Sequence, residues 1–363
     1  MRVVLKLGTS SLTDRHGVID VDAVAKTAHE VAAAREAGHE VVLVSSGAVA
    51  AGLPALDIRA EDRPRDARTL QAVSAVGQAR LMQTWGEHLA THSLVAGQVL
   101  LAPLDFMVRA QYLHARSTLE RLLELGVVPV VNENDAIADD EIRFGDNDRI
   151  AALVAQLLGA ELLVLLTDAP GLMDADPRVA AEASLIEEIV EVDQQLEALA
   201  GGAGSDRGSG GMASKLAAAK MASWSGVRAV IAAAGRPGVV ADAIAGRTGV
   251  GTIVLPRARR LSARKLWIAF ALPSHGRVTI DAGAARAVAG GGRSLLAAGV
   301  VGVDGSFDAE DAVEVVGPDG AVVAKGLVRV DTPTLRSMVG RRSVDLAGSG
   351  EVIHADDLVV LPG

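Results

Sequence analysis

The sequence predicts an α/β protein, with a largely parallel sheet sandwiched between helices and a second, smaller β-rich domain behind it. Two observations predict the first domain. Short apolar runs rich in Val and Leu alternate with segments of helical period, and several of those runs are apolar on both faces, as strands covered on both sides must be. A third observation predicts the second domain. Beyond Leu266 short alternating strands joined by Gly/Asp turns take over.

Residues 2–7 read as a buried strand with one discordant residue, Lys6, followed at once by Gly8-Thr9-Ser10-Ser11. Lysine is almost never fully buried unpaired. At the end of an apolar strand, beside a loop rich in N–H and O–H donors, it points to an anion site; a place at a sheet edge is the alternative. Val21, Val24, Ala28, Val31 and Ala32 keep helical spacing, with Asp20 or Asp22 as cap and Gly38 as stop. Glu40–Ser45 is the next strand, and it ends in Ser45-Ser46-Gly47-Ala48, a second small-residue loop at the same sheet edge. No G-x-S-x-G elbow surrounds Ser46, so a hydrogen-bonding role or a tight turn is expected there in place of nucleophilic catalysis.

Arg59–Arg68 is charged and expected at the surface. Ala72–Leu89 reads as a helix, Leu94–Leu101 as a strand, and Ala110–Leu125 as a helix stopped by Gly126. Val127–Val131 is a continuous apolar run, so Asn132-Glu133-Asn134-Asp135 should sit where a buried parallel strand leaves the sheet, the edge at which such sheets bind ligands. Rough alternation over Ala136–Phe144, ending at Gly145, predicts a hairpin-like lobe that returns Asp146-Asn147-Asp148 toward that edge. Amides and carboxylates set close together suit a ligand carrying an amine and carboxylates. A Mg²⁺ site or a solvated loop of turn-forming Asx residues suits the same composition.

A helix to about Gly159 and a strand at Leu162–Leu166 follow, ending in Thr167-Asp168-Ala169-Pro170-Gly171. The run from Gly201 to Gly211 is mostly Gly, Ala and Ser and feeds a helix at Met212–Ser225, with Lys215 in its first turn. Such a junction offers unpaired N–H groups and a positive dipole end to a phosphate; a flexible linker before an ordinary helix is the alternative. Neither G-x-x-x-x-G-K-[ST] nor G-x-G-x-x-G after a strand occurs. Strands at Ala229–Ala233 and Thr252–Leu255 complete a domain of residues 1–258. A basic linker is expected over 259–268, within the run PRARRLSARK, and a β-rich domain over 269–363 with strands at Ala312–Val316 and Val322–Val330.

The chain holds no cysteine, which excludes disulfides and thiolate chemistry and gives no sign of an oxidising compartment. The cytoplasm is expected, with no signal-peptide pattern and no apolar stretch long enough to span a bilayer. With 45 acidic against 35 basic residues and 2% aromatics, nucleic acid is a disfavoured partner; residues 266–363 carry eight basic against twelve acidic residues. The eight histidines are scattered along the chain.

Six stretches, KLGTS at 6–10, SSGAVAAG at 45–52, NENDA at 132–136, GDND at 145–148, TDAPGL at 167–172 and GGMASK at 210–215, occur in the order found in the amino-acid kinase family. Nearly the whole chain resembles that family's glutamate 5-kinase branch, joined to a C-terminal PUA domain. The resemblance implies the amino-acid kinase fold and ATP-dependent phosphorylation of the γ-carboxylate of L-glutamate, the first step toward proline. It implies that Lys6 and Lys215 contact the ATP phosphates and the moving phosphoryl group, with Asp148 holding both lysines. Ser46, Asp135 and Asn147 would bind glutamate, with Asn134 nearby. Lys6, Gly8, Thr167, Asp168 and the run Ser209, Gly210, Gly211, Met212, Ala213, Ser214 and Lys215 would bind ATP. Mg²⁺ would be held mainly by the nucleotide phosphates, with no protein metal site. Proline is implied as inhibitor, a homo-oligomer is expected, and RNA is a partner that PUA domains bring to mind and this acidity disfavours. Two departures stand out: Ser45 replaces a common threonine, and Ala213-Ser214 replaces Ser-Thr.

Overall fold

A computed structural model describes residues 1–102, 105–106, 108–137, 147–175, 182–201, 211–258, 260–270, 272–342 and 350–361. The chain divides into two units, Met1–Arg260 and Leu261–Gly363. In the first, eight strands form one sheet: β1 (Arg2–Leu7), β2 (Glu40–Ser45), β3 (Ala96–Leu101), β4 (Val128–Glu133), β5 (Leu162–Thr167), β6 (Glu188–Ile189), β7 (Arg228–Ala233) and β8 (Thr252–Val254). Their order is β3-β4-β2-β1-β5-β7-β8-β6. The first six are mutually parallel; β8 runs antiparallel to β7 and parallel to β6. Every residue of β4 and β5 is buried, which only a sheet with both faces covered permits.

Side-chain alternation then decides what each face carries. Val3, Leu5 and Leu7 of β1 join one core with Val31 of the helix Val21–Glu36, Leu81 and Trp85 of Ala67–Ala90, and Val240 of Val239–Ala245. Val4 and Lys6 point to the opposite face. The helix Asn147–Leu157 packs there against β1 and β5, and the helix Met212–Trp224 packs against it in turn. Lys6 is thus aimed at the starts of two helices by strand period alone.

The helix Ala48–Ala55, which the sequence suggested only as a small-residue loop, follows β2 directly. Alanine is the best helix former, and Gly47 at φ +106° supplies the sharp turn that precedes the helix. This helix lies against Ala67–Ala90 at a distance only glycine allows. A Cβ on Gly77 would stand 1.8 Å from the Ala48 carbonyl oxygen, and one on Gly52 would stand 2.1 Å from that of Val73. Gly77→Ala should therefore push the helices apart and destabilise the fold by about 1–3 kcal/mol, the usual cost of overpacking. Urea denaturation measures it; unchanged stability would mean that the helices have room to part.

β4 runs two residues beyond the expected Val131, because Asn132 and Glu133 stay in register with Leu100 and Leu101 of β3 and their backbone keeps its ladder. The expected lobe at Ala136–Phe144 begins with a 3-10 turn, Asp135–Ile137, and its remainder from 138 on lies outside the described residues, as does Asp146.

In the second unit, β9 (Gly276–Ile280), β10 (Leu295–Leu296), β11 (Val300–Gly305), β12 (Ala312–Val316), β13 (Val322–Val328) and β14 (Glu351–Val360) form a sheet ordered β10-β14-β13-β12-β9-β11. All pairs are antiparallel except β9 with β12. Val278, Ile280, Val313, Val315, Val328 and Ile353 fill its core. The basic stretch read as a linker over 259–268 is in large part something else. Ala263–Phe270 is a helix packed on β13 and β14, with Leu266 and Ile268 fully buried, Arg264 paired with Asp357, and the Lys265 ammonium donating to the Ala355 carbonyl. Its basic residues alternate with apolar ones at helical spacing, and the charge density hid that stripe. No helix among the described residues is long and apolar enough to cross a membrane.

Candidate active site

The order β4-β2-β1-β5 sets four carboxyl ends side by side, at the edge where parallel sheets bind ligands. Asn132 to Asp135 leave β4, Ser46 follows β2, Lys6 and Gly8 close β1, and Thr167-Asp168 close β5. Lys6 therefore stands between an amide-rich half and a half built from β5 and the helix Met212–Trp224.

Lys6, Asp148 and Lys215 meet in the interior, each 4% exposed or less. The Lys6 ammonium pairs with Asp148 Oδ1, and the Lys215 ammonium lies 3.3 Å from Asp148 Oδ2. Ser214 Oγ donates to Oδ2 at 2.9 Å. Burial opposes the carboxylate charge, but the two ammonium groups and the hydrogen bonds from Lys6 and Ser214 outweigh it and hold Asp148 below the usual carboxylate range. Both lysines thus share one carboxylate. Asp148 sits in the first turn of Asn147–Leu157 and Lys215 in the first turn of Met212–Trp224, so two positive helix ends point at the same place. The second helix begins at Gly211 with no side-chain cap, leaving its first N–H groups for a ligand.

On the β4 side the two polar clusters do meet. Asn147 Nδ2 donates to Ser46 Oγ and to Asn132 Oδ1, both at 3.0 Å. Asn132 Nδ2 donates to Gln78 Oε1 at 2.8 Å, and Ser74 Oγ donates to Asp135 Oδ2 at 2.8 Å. Asn134 is half-buried beside them, its N–H bonded to the Leu101 carbonyl. Ser74 and Gln78 were not singled out from sequence, and Asn132 was read only as part of the polar cluster that ends β4. The signal was there: Ser74 and Gln78 fall at i and i+4 on the stripe Val73, Gly77, Leu81, where buried polar residues need a reason.

On the β5 side Thr167 is buried, with its hydroxyl donating to Asp168 Oδ1 at 3.0 Å, and Asp168 is exposed. Gly211, Met212, Ala213 and Ser214 form the helix entry, and Ser209 and Gly210 lie outside the described residues. Gly8 lies beside the Lys6 ammonium, 3.4 Å from where a Cβ would be. The two departures from the family pattern are absorbed. Ser45 Oγ accepts from Trp85 Nε1 at 2.9 Å, and Ser214 supplies the hydroxyl that Asp148 uses, while Ala213 is exposed.

Among the described residues no group of three or more His, Cys, Asp or Glu could hold a metal ion. Asp148 is a poor metal ligand here for a chemical reason: both its oxygens are engaged by Lys6, Lys215 and Ser214.

Comparison with known proteins gives the family. The profile of the Amino acid kinase family matches residues 1–233, and that of the PUA domain matches residues 276–348. A glutamate 5-kinase of Mycolicibacterium paratuberculosis is 46% identical over 363 residues, covering 99% of this chain and 96% of that protein. One from Herpetosiphon aurantiacus is 45% identical over 365 residues, covering 99% and 98%. Among solved structures, the carbamate kinase from Giardia lamblia bound to AMP-PNP has a TM-score of 0.51 at 18% identity, covering 70% of this chain and 98% of that one, which speaks to the fold alone. The chain belongs to the amino acid kinase family, among its glutamate 5-kinases, and carries a PUA domain behind the kinase unit.

Proposed function

We propose that the chain transfers the γ-phosphoryl group of ATP to the γ-carboxylate of L-glutamate in the cytoplasm, giving L-glutamyl 5-phosphate for proline synthesis. The observation that carries this reading is the buried Lys6–Asp148–Lys215 cluster, set between the Ser46–Asn147–Asp135 side and the Thr167–Gly211 side. The two sides are the acceptor and nucleotide halves. A γ-carboxylate is already ionised at neutral pH, so its oxygen attacks the γ-phosphorus without losing a proton. As that bond forms, the bond to the β,γ-bridging oxygen breaks and ADP leaves. The barrier is the approach of an anion to a polyanion. Lys6, Lys215 and the N–H groups at Gly211–Ala213 lower it by placing positive charge where negative charge redistributes. Mg²⁺ would enter on the nucleotide phosphates and supply further charge neutralisation.

Incubating the protein with ATP, Mg²⁺, hydroxylamine and, in turn, glutamate, aspartate or acetylglutamate tests the reading, and ADP release with UMP in their place tests a nucleotide acceptor. Glutamate alone should give a hydroxamate; a hydroxamate only with another acceptor would reassign the enzyme.

Proline shares the α-ammonium and α-carboxylate of glutamate and lacks the γ-carboxylate, so a pocket that reads those groups through Asp135 would bind it unproductively. Asp135→Asn removes the charge that faces the ammonium and loses a charge-assisted hydrogen bond worth roughly 1.5–3 kcal/mol. Glutamate KM and proline inhibition should weaken together, by about tenfold or more. If only glutamate weakens, proline has a separate pocket.

A further inference from the structure

The backbone N–H of Glu133 donates to Asn132 Oδ1 at 2.9 Å and to Asn147 Oδ1 at 3.2 Å. A backbone N–H cannot be anything but a donor, so it fixes which end of each amide is oxygen. Everything downstream then has one polarity. Asn147 spends both Nδ2 hydrogens, one on Asn132 Oδ1 and one on Ser46 Oγ. Asn132 turns its Nδ2 toward Gln78, which must answer with Oε1. That leaves Gln78 Nε2 buried with no partner among the described residues, in a side chain only 8% exposed. An orphaned buried donor is costly, and its survival at this place calls for a reason.

At the other end of the string, Ser46 Oγ accepts from Asn147, and its own hydrogen has no acceptor among the described residues. Ser46 is half-buried at the carboxyl edge of the sheet, next to the Lys6 strand. Asn147 has no hydrogen left to give.

We propose that Gln78 and Asn132 are positioning residues that, with the Glu133 N–H, lock the Asn147 amide so that Ser46 offers its hydroxyl hydrogen to a carboxylate of the acceptor substrate. This rests on the reading of the acceptor as glutamate. Ser46 then presents its hydroxyl to the substrate, and Asn147, itself on the glutamate side, sets the direction of that hydroxyl. The Gly77–Gly52 approach holds the helix that carries Gln78, and one turn earlier the same helix presents Ser74 to Asp135. One rigid element thus orients both the hydroxyl and the carboxylate of the acceptor half.

Steady-state hydroxamate kinetics on a double-mutant cycle test this. Ser46→Ala should raise glutamate KM by about tenfold or more, the weight of a hydrogen bond to a charged group. Gln78→Met removes the acceptor for Asn132 at similar volume and should raise glutamate KM about tenfold, with kcat and ATP KM moving far less. In the Ser46→Ala background, Gln78→Met should add less than about twofold, because both act through one hydroxyl. Gln78→Glu keeps an oxygen facing Asn132 and should fall closer to wild type than Gln78→Met. The proposal is overturned if Gln78→Met leaves glutamate KM unchanged, or raises it by the same factor with and without Ser46. If Gln78→Met does not fold, Asn147→Asp decides: its carboxylate cannot donate to Ser46 and captures the hydroxyl hydrogen, so KM should rise at least as far as in Ser46→Ala. A KM within about twofold of wild type in that variant refutes the relay. An inactive wild type with glutamate would instead refute the substrate assignment, so the two failures are separable.

Discussion

Lys6→Ala and Lys215→Ala should each lower kcat for acyl phosphate formation by about a hundredfold or more, while raising glutamate KM far less. Each lysine is positioned by Asp148 in a buried site, so its charge is in place before the phosphoryl group moves. Its charge is worth most where negative charge is being redistributed and less in the ground state, which is why the loss should fall on kcat. Arginine is no equal substitute at either place: its longer side chain and planar fork need more room than the compact ammonium that this buried position holds. Lys6→Arg should therefore be impaired nearly as much as Lys6→Ala. The variants should fold, because the remaining lysine still neutralises Asp148. Steady-state hydroxamate assays with glutamate and ATP varied in turn separate kcat from KM; near-normal turnover in both alanine variants would remove the phosphate site from this cluster.

The lysines were legible in the sequence because each broke a local rule. Lys6 interrupts an apolar strand, and Lys215 follows a glycine-rich run at a helix start, so both stood out against their surroundings. The parallel sheet was legible for a related reason: Val128–Val131 of β4 and Leu162–Leu166 of β5 are apolar on both faces, a pattern a one-sided sheet does not produce. What stayed hidden depends on contacts between distant segments. Gln78 is an ordinary helical glutamine until Asn132, 54 residues on, is seen against it. Helix Ala48–Ala55 was obscured by glycines and small residues that also suit loops, and its reason lies in Gly77, on another helix. In Ala263–Phe270 the charges were louder than the apolar stripe that docks it, so a packed helix read as a joint.

Asp148→Asn carries the largest expected cost to the fold. The amide keeps the shape and loses the charge, leaving the Lys6 and Lys215 ammonium groups buried without their shared counter-ion. Removing one partner of a buried ion pair typically costs about 3–5 kcal/mol, and here one substitution takes the same carboxylate from two cations. Equilibrium urea denaturation should show a loss of at least that order, and kcat should fall because the lysines no longer have a fixed place. The pH dependence has a definite sign. Burial and the two cations leave the Asp148 carboxyl with a folded-state pKa below its unfolded value of about 3.9. Its contribution is therefore complete above that value and is lost only as pH falls through the lower, folded one. The stability gap between wild type and Asp148→Asn should stay constant from neutral pH down to about pH 4 and narrow below it. A gap that already closes between about pH 7 and 5 would mean that the carboxyl titrates above its ordinary range. In that case desolvation would outweigh the two lysines, and Asp148 would not be their counter-ion.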